Sequence, residues 1–122
     1  MARRDLSGAI DFDYLSGYAG GDLGLVDEVL GLFEHQVEMW LRLLDPDADP
    51  GVFRDGAHTL KGASLGIGAH RLGKACSEAE QNAAATAPAR AALVDTIRSE
   101  LDAVLGDIAA WRHEQALQGL KA

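Results

Sequence analysis

Residues 57–68 read AHTLKGASLGIG, in which Lys61 stands three places after His58 and four of the next seven residues are glycine or alanine. An exposed imidazole, with an ordinary pKa of about 6.5, keeps a neutral ring nitrogen free as a nucleophile near neutral pH. On a helix, an ammonium at i+3 lies close enough to stabilise negative charge arriving at that nitrogen. Gly62, at i+4, removes the side chain that would hold a second protein's surface away. Glycine inside a helix costs about 0.5–1 kcal/mol against alanine, so Gly56, Gly62 and Gly66 call for a reason such as close approach. A nucleophile, an adjacent cation and a cleared landing area suit phosphoryl transfer onto histidine from another protein. A His–Lys pair alone is an ordinary surface feature, and Gly56 falls on the packing face, so the case rests on the larger pattern.

That pattern begins with the elements that must hold the pair. The three prolines, at 46, 50 and 88, all lie between stretches of helical periodicity. Asp11 caps a short segment that ends at Gly20 and Gly21, and Asp22 caps a long one. In the long segment Val26, Val29, Leu30, Phe33, Val37, Trp40, Leu41 and Leu44 form one stripe at spacings of three and four. Asp49 followed by Pro50 starts the next helix. Leu72, Ala75, Cys76 and Ala79 mark a further helix, and a stripe from Leu93 to Trp111 marks the last. The predicted helices span about 11–18, 22–44, 50–67, 69–85 and 88–115. No stretch alternates with period two between hairpin turns. The expected fold is all-α: an antiparallel up-down-up-down four-helix bundle, with an additional short N-terminal helix across one end and a single domain over 1–122.

Turning the third helix by about 100° per residue separates its faces. Phe53, Gly56, Leu60, Ala63, Ser64 and Ile67 fall on the core side, whereas His58, Lys61, Gly62 and Leu65 fall opposite. Leu65, two turns beyond His58, is an apolar residue where solvent alone favours a polar one. Leu25, Leu32, Met39 and Leu43 form a second stripe on the long helix. It either packs on a second bundle neighbour or the short first helix, or part of it joins Tyr14, Tyr18 and Leu65 in an exposed dock.

Composition narrows the function classes. Eleven lysines and arginines against 19 aspartates and glutamates give a formal net charge of −8, which argues against nucleic acid or an anionic membrane surface. One cysteine excludes an internal disulfide and fits a reducing, cytoplasmic setting. No apolar run approaches a membrane span, and MARRDLSG lacks the apolar region of a secretory signal. No Walker A loop or kinase-type nucleotide motif is present. His35, His70 and His113 are isolated, so no familiar zinc spacing can be assembled. Asp45, Asp47 and Asp49 read as a solvated turn rather than a calcium loop.

Residues 57–80, AHTLKGASLGIGAHRLGKACSEAE, resemble the signature of histidine-containing phosphotransfer (HPt) domains. The likeness includes His58, Lys61, Gly62, Ser64, Gly68, Ala69, Leu72, Cys76 and Glu80 at that family's spacings. A looser echo covers most of the chain. The resemblance implies a four-helix bundle with an extra N-terminal helix. It implies that His58 accepts a phosphoryl group from an aspartate of a response-regulator receiver domain and passes it to another receiver. Lys61 would neutralise the phosphoryl oxygens, and Gly62 would admit the partner. Glu80 would accept a hydrogen bond from the imidazole Nδ1 and leave Nε2 reactive. Many members carry glutamine there; a carboxylate in its place would make the imidazole more basic. Ala63 and Ala79 depart mildly from the family's serine and leucine.

The expected protein is thus a phosphoryl carrier rather than an enzyme, a monomeric partner of receivers that include the receiver of a hybrid histidine kinase. No metal or cofactor is expected on this chain, with Mg²⁺ belonging to the receiver. The alternatives are an HPt-like dimerisation and phosphoacceptor module of a histidine kinase, or a non-catalytic helical adaptor. Against the first, kinase modules usually place an acidic residue directly after the histidine, where this chain has Thr59.

Overall fold

The computed structural model describes residues 6–121. The expected domain span of 1–122 and the reading of MARRDLSG both reach outside those residues. Among them the chain forms five helices and no strand: α1 (Phe12–Tyr18), α2 (Leu23–Arg42), α3 (Pro50–Gly66), α4 (His70–Gln81) and α5 (Ala87–Lys121). No helix is long and apolar enough to cross a membrane among the described residues.

The caps explain most of the helix ends. Asp11 and Asp22 accept hydrogen bonds from the amides of Tyr14 and Leu25, so each stands as the N-cap just outside its helix. Pro50 occupies the first turn of α3, where a missing N–H breaks no helical bond. Two ends differ from the periodicity. α4 stops at Gln81 rather than near Ala85, because the Asn82 side chain donates to the Glu78 carbonyl at 2.7 Å and residues 82–85 turn back. α5 runs on to Lys121 rather than stopping near 115, through a stretch of strong helix formers in which Gln118 donates to Glu114 one turn earlier.

The core gathers Leu30, Phe33 and Val37 of α2, Phe53 and Leu60 of α3, Leu72 and Cys76 of α4, and Ile97, Val104 and Ile108 of α5. Of the Leu25–Leu43 stripe, Leu32 and Met39 stay more than half exposed, while Leu43 meets α3. On the core side, a Cβ on Gly56 would come within 2.7 Å of the Leu43 Cβ, so that glycine serves close packing of α3 against the end of α2.

α1 is tied to two places. The Asp11 amide donates to the Gly68 carbonyl at 2.9 Å in the α3–α4 turn, and Phe12 stacks on Trp111 of α5 at 5.9 Å. Gly68 has φ +77°, and a Cβ there would press within 2.9 Å of the Asp11 oxygen, so only glycine suits that turn. The segment before α1 is latched by Asp107 of α5, a buried carboxylate. It accepts from the amides of Ser7 (2.7 Å), Ala9 (2.9 Å) and Ile10 (3.4 Å), and from the Ser7 hydroxyl (2.9 Å). These bonds give the buried carboxylate oxygens the donors that burial demands.

Candidate functional site

α3 presents the site because its other side is consumed by the core. Phe53, Gly56, Ala57, Leu60 and Ser64 are buried, and the Ser64 hydroxyl satisfies itself on the Leu60 carbonyl at 2.7 Å. Ala57 is an addition to the expected core face, and Ala63 is half-buried rather than buried. One position past Ala57, His58 turns outward, with 67% of its side chain exposed. On α4, Leu72, Ala75, Cys76 and Ala79 point inward, which leaves Glu80 on the flank that meets α3.

Three side chains converge there. The imidazole Nδ1 lies 2.7 Å from Glu80 Oε2, and the Lys61 ammonium donates to Glu80 Oε1 at 2.6 Å. The Lys61 hydrogen bond first, and the His58 hydrogen bond second, hold the Glu80 carboxyl below its usual range. It is therefore an anion near neutral pH, and an anionic carboxylate can only accept. Nδ1 must then carry the ring proton, which leaves the Nε2 lone pair free on an exposed ring. Because Glu80 is depressed by folding, this cluster's support for the fold is present above the ordinary carboxylate range. It is lost as pH falls through the lowered value.

The remaining expected site residues spread along the same face. A Cβ on Gly62 would meet nothing within 4 Å, so the surface beside the histidine is open. Leu65 is 42% exposed, with its inner side against α4; a Cβ on Gly73 would come within 2.5 Å of Leu65 Cδ2. Gly73 thus makes the room in which Leu65 lies, a role signalled in sequence only by a glycine in mid-helix. Tyr14 and Tyr18 are exposed and stacked on each other at 6.4 Å. They do not join the His58 cluster. They lie toward the α3–α4 turn, where Tyr14 also meets the edge of His70 at 6.0 Å. By helical rise, that turn is about 15 Å from His58.

Cys76 is buried, and burial pushes its thiol up to about 12 despite the Ser64 hydrogen bond and the Lys61 charge, so it behaves as a small core residue.

An accessible nucleophilic nitrogen, a fixed tautomer and a nearby ammonium form an arrangement that can take an electrophilic phosphorus. A family model described as the Hpt domain matches residues 25–111. The chain belongs to the Hpt domain family. Hpt domains are phosphocarriers rather than kinases, and they work with response-regulator receiver domains in phosphorelays. Among solved structures, the histidine phosphotransferase ShpA from Caulobacter crescentus is 46% identical to this Hpt chain. That likeness covers 93% of this chain and 99% of the other, with a TM-score of 0.75. No curated protein matches the chain.

Proposed function

We propose that this Hpt protein shuttles phosphoryl groups between receiver aspartates, with His58 as the phosphoacceptor. The observation that carries the reading is the shared carboxylate: Glu80 fixes the His58 ring through Nδ1 and holds Lys61 beside it. The Nε2 lone pair attacks the acyl phosphate, forming the N–P bond as the P–O bond to the receiver aspartate breaks. Lys61 meets the phosphoryl oxygens, and Gly62 leaves the partner's approach clear. The donor receiver supplies Mg²⁺, and this chain carries no cofactor of its own. We take the helices to form the antiparallel up-down-up-down bundle, and the protein to be a cytoplasmic monomer without enzymatic turnover. Its partners are receivers, including that of a hybrid histidine kinase, and neither nucleic acid nor membrane. Reacting the protein with a phosphorylated receiver and Mg²⁺ tests the reading: acid-labile phosphate on His58 supports it, and none refutes it.

Lys61→Ala is expected to slow transfer from a saturating receiver about tenfold, the lower end of what a charge-assisted hydrogen bond contributes. Receiver affinity should barely change. Single-turnover transfer measured beside calorimetric binding separates the two, and an unchanged rate rejects the electrostatic role.

Docking is assigned to the face around His58, with Leu65 and the tyrosines of α1 as apolar contacts. A shallow cleft between α2 and α3, lined by Leu32, Phe33, Trp40, Ala63 and Gly66, adjoins the same side of α3. Leu65 has less than half its surface left to cover, so its burial adds about 1 kcal/mol. Leu65→Ser should therefore weaken receiver binding about fivefold. Binding as tight as the parent's moves the dock to the exposed α2 stripe.

A further inference from the structure

Glu80 touches both working side chains at once, and this double contact has a chemical consequence at the phosphorylated stage. We infer that Glu80 keeps the phosphohistidine in its protonated, release-ready form and withholds Lys61 from it, so that this residue sets how readily the phosphoryl group leaves. The inference rests on His58 being the phosphoacceptor.

The proton on Nδ1 is the first group Glu80 controls. Attack by Nε2 uses its lone pair, so the product ring bears phosphorus on Nε2 and still carries a proton on Nδ1. It is a phosphoimidazolium, and its ordinary fate is to lose that proton. Here Nδ1 faces Glu80 Oε2 at 2.7 Å, and an ionised carboxylate has no hydrogen to give. A deprotonated Nδ1 would face the carboxylate lone pair to lone pair, so the proton stays in the hydrogen bond. When a receiver aspartate next attacks the phosphorus, the P–N bond breaks and its electron pair returns to Nε2. The ring then departs as neutral imidazole, and no proton has to be delivered. A glutamine amide of the same shape can turn its NH₂ group toward a bare Nδ1 instead. It would therefore accommodate the deprotonated phosphoimidazole, whose P–N bond leaves poorly.

Lys61 is the second. Its ammonium sits on Glu80 Oε1 at 2.6 Å. A phosphoryl group on Nε2 must draw it away from an anion that remains in place. Competition for the one ammonium leaves the phosphoryl oxygens less well neutralised than a neutral residue at position 80 would. Both effects raise the tendency of the group to leave. The charged groups acting on Glu80 among the described residues are Lys61 and His58, both from α3. The nearby thiol of Cys76, held up at about 12, stays protonated through the neutral range.

The test is the spontaneous decay of the phosphorylated protein. Wild type and Glu80→Gln are charged with phosphoramidate, freed of donor, and followed by ³¹P NMR between pH 6 and pH 8.5. The wild-type rate should stay nearly flat, because its Nδ1 proton is retained. The Glu80→Gln rate should lie somewhat below it at the acid end, where Lys61 is released to the phosphoryl oxygens, and then fall further with rising pH, approaching about tenfold per unit once the variant's ring has lost its proton. A loss of packing alone would shift the rate by one factor at every pH, and that parallel result overturns the inference. So do equal rates throughout, or faster decay of the variant. If wild type takes up no acid-labile phosphoryl group on His58, the phosphotransfer reading itself has failed. A phosphorylated wild type with a parallel variant removes only the role given to Glu80.

Discussion

His58→Gln is expected to take up no acid-labile phosphoryl group from a phosphorylated receiver while keeping the helical content and melting point of the parent. The loss should be complete, because the amide offers no nucleophilic lone pair in place of Nε2. The fold should hold because the ring is two-thirds exposed and contributes little packing. Its partner Glu80 keeps the Lys61 ammonium when the imidazole is gone. Substitutions at such surface sites usually change stability by no more than about 0.5 kcal/mol. Intact mass after acid and alkaline treatment reads the label, and circular dichroism reads the fold. Acid-labile label persisting on the variant would move the phosphoacceptor to another histidine. A large loss of helicity would contradict the outward placement of the ring.

Gly62→Gln should separate docking from chemistry. A side chain at this position begins in open space, with nothing within 4 Å of its Cβ, so the variant meets no clash within the protein. Replacing a mid-helix glycine with a good helix former should raise stability by about 0.5–1 kcal/mol. The same side chain stands one turn beyond His58, in the path of anything that must bring an aspartyl phosphate to Nε2. Overfilling a close contact costs about 1–3 kcal/mol, so transfer from a receiver should fall about tenfold or more. Phosphorylation by phosphoramidate, which needs no docked protein, should proceed much as before. Measuring the two rates side by side, with a thermal melt, decides the matter. Receiver transfer at the parent's rate would show that nothing approaches closely at Gly62.

The grouping of His58, Lys61, Gly62 and Leu65 on one face could be read from the sequence because helical period alone dictates it. The core side of α3 was legible for the same reason, and Ala57 escaped only because alanine carries a weak hydrophobic signal. Glu80 was different. It is 22 residues from His58 and on another helix, so only the family resemblance pointed to it. Its bond to Lys61 came from nowhere in the sequence, since periodicity says nothing about which flanks of two packed helices meet. Asp107 shows the same limit. An aspartate beside Ile108 reads as solvated, and its burial depends on backbone amides about 100 residues earlier in the chain. Gly73 is one more glycine in the sequence, and only packing against α3 gives it the role of making room for Leu65. The α2 stripe shows that periodicity marks an apolar face without saying how much of it is buried: Leu43 meets α3, whereas Leu32 and Met39 remain exposed. Helix ends were the other weak point. Asn82 stops α4 with a side-chain bond that composition does not announce, and α5 continues past its last core residue on propensity.

The central claim is that Nε2 of His58 carries the phosphoryl group between receivers, and one measurement addresses it most directly. A receiver domain is labelled on its aspartate, freed of its phosphodonor, and mixed with this protein and Mg²⁺. The product is trapped at alkaline pH, and ¹⁵N–³¹P correlation identifies the bonded nitrogen. The expected result is phosphorus on Nε2 of His58, which disappears when a second, unphosphorylated receiver is added and reappears on that receiver's aspartate. Label on Nδ1, on His35, His70 or His113, or on no residue of this chain would contradict it.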